Sequence, residues 1–157
     1  MSDARGLQGI RGWLLLVALG LCLQPLILLK TLRDNARAFE PEPWRALTMP
    51  GSRVYHPLWA PLLIAEVVVN AALLVGAAVL LYLFFTTKRV FPRAVIAFMA
   101  ASFAVTLADY AVTSAIPAAR AQFTAKEAAD IGRSALSAAI WIPYFLRSQR
   151  VAATFVH

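Results

Sequence analysis

Four long apolar stretches, parted by polar segments rich in proline, give the chain its pattern. The second is the purest: Leu58 to Phe85 reads LWAPLLIAEVVVNAALLVGAAVLLYLFF, and Glu66 and Asn70 are its only strongly polar members. An apolar run beyond about 18 residues reads as a membrane-spanning helix, because lipid offers no partner to a backbone amide and a helix satisfies its own. The first stretch, residues 10–32, has Arg11 at its start and Lys30 near its end, and Gln24-Pro25 predicts a kink within it. The third, residues 94–116, is broken only by Asp109 and by Ser and Thr, whose hydroxyls can bond their own helix carbonyls. The fourth, residues 125–147, carries Asp130 and Arg133 in its first turns and Pro143 near its end. The pattern predicts an all-α integral membrane protein: one domain over residues 1–157, with four transmembrane helices in an antiparallel bundle and spans near 10–32, 58–86, 94–116 and 125–147.

The connections sharpen this picture. Residues 33–57 hold Pro41, Pro43, Pro50-Gly51 and Pro57, all breakers, so a polar loop is expected there. Trp44, Tyr55 and Trp59 suit a membrane–water interface, where a ring keeps one edge wet, and a short interfacial helix around Trp44 is expected. The link KRVFPR, residues 88–93, is too short to let its flanking spans be anything but antiparallel neighbours. Thr124 and Glu127 fit a capping box at the start of the fourth helix. A cleavable signal peptide is excluded as the reading of the first stretch, because the stretch is too long and Gln24, Pro25 and Lys30 make no small-residue cleavage site.

Composition fits the membrane assignment. Of 157 residues, 61% are hydrophobic and only 15% charged, against about 25% charged in a soluble domain. The net charge of +7 sits at the edges of apolar runs, which points to helix orientation against anionic lipid and away from nucleic acid. The three cations of the KRVFPR link are the densest such feature, and they place both termini on the cytoplasmic side. Cys22, the one cysteine, is expected to be a small core residue, and His56 and His157 stand too far apart in the sequence to suggest a metal site.

The polar residues inside the apolar runs are the candidates for function. Glu66 lies about 12 Å into its helix and Asp109 about 10 Å from the end of an antiparallel one, at ~1.5 Å per residue, so the two share a depth. Arg133 and Lys30 enter from the same face, and Asn70 is one turn from Glu66. Buried charges persist when paired; the spacing predicts an interior network of Glu66, Asn70, Asp109 and Arg133, with Lys30 at its rim. The alternative is plain structural pairing, with Arg133 on Asp130, Lys30 snorkelling, and Glu66 and Asp109 acting as hydrogen-bonded packing between helices.

Ala72 with Gly76, Ala104 with Ala108 and Ala135 with Ala139 are small-xxx-small spacings, read as helix packing. Trp141, Tyr144 and Phe145 form an aromatic face bent by Pro143, followed by Arg147, Ser148 and Arg150. This end of the chain reads either as an aromatic belt meeting lipid headgroups or as a docking surface for a partner. The block IWIPYFLRSQRVAATF at residues 140–155, GIRGWLLLVALGL at residues 9–21 and the FPR at 91–93 resemble an uncharacterised bacterial family catalogued as domain of unknown function 2569. That resemblance covers nearly the whole chain. It implies a four-span bacterial inner-membrane protein and brings no activity or catalytic residues with it.

No nucleophile–base pair, metal spacing, phosphate-cradling glycine loop or paired haem histidines stand in the sequence. The expectation is therefore a non-enzymatic protein with no cofactor, resident in the bilayer of the bacterial inner membrane, serving as a structural or accessory subunit beside a membrane-protein partner or as a homo-oligomer. Two further readings stand beside it. One is a small oligomeric transporter or proton- or ion-responsive protein using Glu66 and Asp109; the other is a lipid- or quinone-binding protein suggested by the apolar aromatic composition.

Overall fold

The structure is a computed structural model and describes residues 9–121 and 125–157. Every regular element among them is helical. Helix α1 (Trp13–Ala36) continues through a 3₁₀ turn, Arg37–Phe39, into a short helix α2 (Pro41–Thr48). Helices α3 (Trp59–Phe85) and α4 (Phe91–Ser114) follow, then a single turn α5 (Pro117–Arg120), the long α6 (Ala125–Arg147) and a terminal α7 (Gln149–Thr154). Among the described residues, three segments are long and apolar enough to cross a membrane: Trp13–Phe39, Trp59–Phe85 and Phe91–Ser114. Helix α6 matches them in length but carries four charged residues in its first three turns, and it is not one of the three.

The boundaries differ from expectation where polar residues propagate a helix. Arg33, Asp34 and Asn35, expected in the loop, extend α1, and Lys30 bonds Asp34 one turn along at 2.7 Å. Helix α4 starts three residues early because Pro92 falls in its first turn, where a missing N–H costs nothing. Trp44 lies in α2 and stacks on Phe39 with centroids 5.2 Å apart. The expected capping box at Thr124 lies outside the described residues. Cys22, expected in the core, is exposed on α1.

Neighbours pack in the order α1 on α3, α3 on α4, α4 on α6. Each pair is antiparallel. Along α3 and α4 the partners Phe84 with Phe91, Gly76 with Phe98 and Glu66 with Asp109 run in opposite senses. The α3–α4 contact is close at Gly76, where an added Cβ would stand 3.1 Å from a Phe98 ring carbon.

The core sits at one end, where the α3–α4 link and both ends of the described chain meet. Leu14, Phe84 and Phe91 are fully buried there. Phe91 stacks on Phe155 with centroids 4.5 Å apart and meets Phe84 and Phe145 edge-on at 5.1 and 5.9 Å. The geometry follows from the tail. The Ser148 hydroxyl accepts from the Val151 amide and caps α7, which turns back over the bundle. His157 then exchanges backbone hydrogen bonds with the link, receiving one from Arg89 and giving one to Thr87. Phe145 is accordingly 6% exposed and belongs to the core, a correction to its expected place on a lipid or partner surface. Trp141 and Tyr144 are partly buried against the same cluster.

Candidate functional site

Polar residues fall on matching stripes along three helices. On α4, Ser102, Thr106, Asp109 and Thr113 recur at intervals of four, three and four, the spacing of one helix face. Gln24, Thr31 and Asn35 share one face of α1, and Asp130, Arg133, Ser134 and Ser137 one face of α6, where Asp130 and Arg133 are exposed. These stripes occupy mid-depth and the half of the bundle nearer the α1–α3 loop. The opposite end is closed by the phenylalanine cluster.

Toward the loop, Glu66 is the meeting point of three helices. The Asn35 side-chain amide on α1 donates to Glu66 Oε2 at 3.1 Å, and the Asp109 carboxyl on α4 lies against that of Glu66. Asn70 turns its amide back onto the Glu66 carbonyl of its own helix at 2.8 Å, so it braces α3 and bonds no other helix there. The structure thus brings together two of the five residues expected to form the network, Glu66 and Asp109. Lys30 stands apart, exposed and paired with Asp34 on its own helix. Arg133 pairs with Asp130, three residues earlier on α6. For both cations a partner one turn away on the same helix requires no long side chain to be threaded through the bundle.

Asn35 is the member that sequence reasoning missed, because the run of charges from Arg33 reads as loop. The signal was available: Asn35 continues the Gln24–Thr31 spacing by one more turn.

At mid-depth a second feature appears. Helices α1 and α6 meet at the core end, where Trp13 and Trp141 lie edge-to-face at 6.3 Å. Above that contact they part, leaving a cleft of about 310 Å³ floored by α4. One wall is Gln24 of α1; the floor brings Phe98, Ser102 and Phe103; the other wall brings Arg133, Ser134 and Ser137 of α6. Gln24 and Ser102 are each eleven residues from the start of their helix and twelve from its end, so the cleft lies midway along both. The Ser102 hydroxyl is buried with no hydrogen-bond partner.

Near the core end, Arg147 is exposed at the close of α6, while Arg150 buries Nη1 beside the tail without a hydrogen-bond partner.

No curated protein and no solved structure matches the chain. A family model described as protein of unknown function (DUF2569) matches residues 7–156, the span that contains every helix described above, and the chain belongs to that family.

Proposed function

We propose that the protein is a four-span, single-domain protein of the bacterial inner membrane with both termini cytoplasmic, and that it serves as a structural or accessory subunit with no catalytic role of its own. In this reading α6 is the fourth span and α2 lies at the interface on the far side, its Trp44 at the headgroups. The observation that carries the proposal is the outer face of α4. Ala97, Ala101, Ala104, Ala108 and Ala111 recur at intervals of four and three along α4 and Ala115 follows at its C-cap, all exposed, on the side away from Ser102 and Thr106.

Lipid is as apolar as leucine, so helices associate in membranes through close backbone approach, and small side chains permit it. An unbroken alanine face more than four turns long lets a partner helix lie along α4 at short range. The same type of contact operates inside the fold, where Gly76 admits Phe98.

Native mass spectrometry of the protein extracted gently from its own membrane tests this. A stoichiometric partner protein is expected, and it is lost when Ala101 and Ala108 are both replaced by leucine. A chain that emerges alone, or only with copies of itself, overturns the accessory role.

A further inference from the structure

The cleft between α1 and α6 is not used by the proposed subunit contact, which lies on the opposite face of α4. Three properties define what it would take. First, it is lined by donors: the Gln24 amide, the Ser137 hydroxyl, and Arg133, which has five N–H groups of which Asp130 engages one nitrogen. Second, it lies at mid-depth, between helices whose outer surfaces are leucine-rich, so an occupant arrives from hydrocarbon. Third, the one cation among its described residues is already matched by Asp130, so these residues offer no net charge to an anion.

Anionic head groups are therefore disfavoured, since no net positive charge among the described residues replaces their hydration. What remains is a neutral molecule whose oxygens accept hydrogen bonds. The Phe98 and Phe103 rings supply flat apolar contact, which suits a planar head. A volume of about 310 Å³ accommodates one substituted ring, at the lower end of the roughly 300–1,000 Å³ typical of small-molecule sites.

We propose that this cleft binds the head of a neutral, carbonyl-bearing lipophile of the quinone class, with carbonyl oxygens accepting from Gln24 and Ser137 and the ring lying on Phe98 and Phe103. Its tail leaves between α1 and α6 into lipid. The proposal concerns binding alone and involves no electron transfer.

The test uses the full chain in phosphatidylcholine nanodiscs and a decyl-substituted benzoquinone, titrated as a mole fraction of lipid. The readout is the thermal unfolding midpoint, which a ligand that binds only the folded state raises by mass action. A saturable rise is expected, weakened at least tenfold in apparent affinity by Gln24→Leu with Ser137→Ala. Each single change should weaken it independently, and either stands in if the double variant fails to fold. Val75→Ala, 65% exposed on α3 and away from the cleft, should leave the titration unchanged. No saturable rise overturns the proposal, as does equal affinity in the cleft variants. A larger rise with decanoate than with the quinone overturns it too, since that would make the site an anion site.

Discussion

Asn35 and Glu66 hold α1 to α3 near the loop: the amide Nδ2 donates to Oε2 across 3.1 Å and 31 residues of sequence. Glu66 also meets Asp109, so one side chain joins three helices at the end of the bundle remote from the aromatic core. The α1–α3 loop closes on the same region, with the Trp59 indole donating to the Val54 carbonyl at 3.0 Å.

This contact makes a chemically specific prediction. Glutamine at position 66 keeps an acceptor for Asn35 and gains a donor for Asp109, so Glu66→Gln should unfold within a few degrees of the parent protein. Asn35→Ala and Glu66→Ala both break the link, and each should cost about 0.6–1 kcal/mol, the range of interhelical hydrogen bonds in membranes. Thermal unfolding in detergent reads all three. Equal loss in Glu66→Gln and Glu66→Ala would mean that the carboxylate matters for charge and not for bonding.

At the other end, Phe84 touches Phe91 at 5.1 Å and Phe155 at 5.7 Å and is fully buried. For a residue surrounded by protein inside a membrane protein, the main loss on truncation is packing, because the unfolded reference is itself partly in lipid. Phe84→Ala opens a cavity of about 100 Å³, which at ~24 cal/mol per Å³ amounts to about 2 kcal/mol. Tyr82→Ala, two residues away but 61% exposed, should cost a small fraction of that. Since Phe155 rests on the same ring, Phe84→Ala should also speed proteolytic clipping of the tail, which limited trypsin treatment followed by mass measurement would show.

The helices were legible in the sequence because a long apolar run has one physical solution in lipid, and Leu58 to Phe85 could be little else. Their sidedness and pairings were less so. The depths of Glu66 and Asp109 follow from counting residues along two antiparallel helices, and their meeting was foreseeable. The pairing of Arg133 turned on competition between a partner across the bundle and Asp130 on its own helix, and the local one prevailed. Phe145 was misplaced because the fold-back of α7 rests on a single hydroxyl, Ser148, and on the backbone of His157, neither of which leaves a periodic pattern. The cleft was illegible for a similar reason: its walls come from α1 and α6, which are more than a hundred residues apart and do not pack along their length.

Ser102 yields a prediction of unusual sign. Its hydroxyl is buried without a partner, whereas Thr106, one turn on, bonds the Ser102 carbonyl at 3.0 Å. Removing an unsatisfied buried group relieves its desolvation cost of about 1–3 kcal/mol. Ser102→Ala should therefore raise the unfolding midpoint of the ligand-free protein, where most polar-to-alanine changes lower it. Thr106→Ala, whose hydroxyl is satisfied, should not. A fall in the midpoint for Ser102→Ala would show that its hydroxyl already has an acceptor.

The tightest helix contact is set by a missing atom. A Cβ at Gly76 would lie 3.1 and 3.2 Å from two carbons of the Phe98 ring, closer than ordinary packing but against a side chain that can shift a few tenths of an ångström. Alanine at this position gains about 1 kcal/mol of helix propensity over glycine, so Gly76→Ala should come out near neutral. Isoleucine projects two branches into the same space, and overpacking of this kind typically costs about 1–3 kcal/mol. Gly76→Ile should accordingly destabilise the α3–α4 pair, and Phe98→Ala, which clears the opposing ring, should restore part of the loss. The four unfolding midpoints form a double-mutant cycle. Additive effects in that cycle would show that Gly76 and Phe98 do not share a packing contact, whereas rescue places the closest approach of α3 and α4 at this pair and explains why a glycine stands in the middle of a membrane helix.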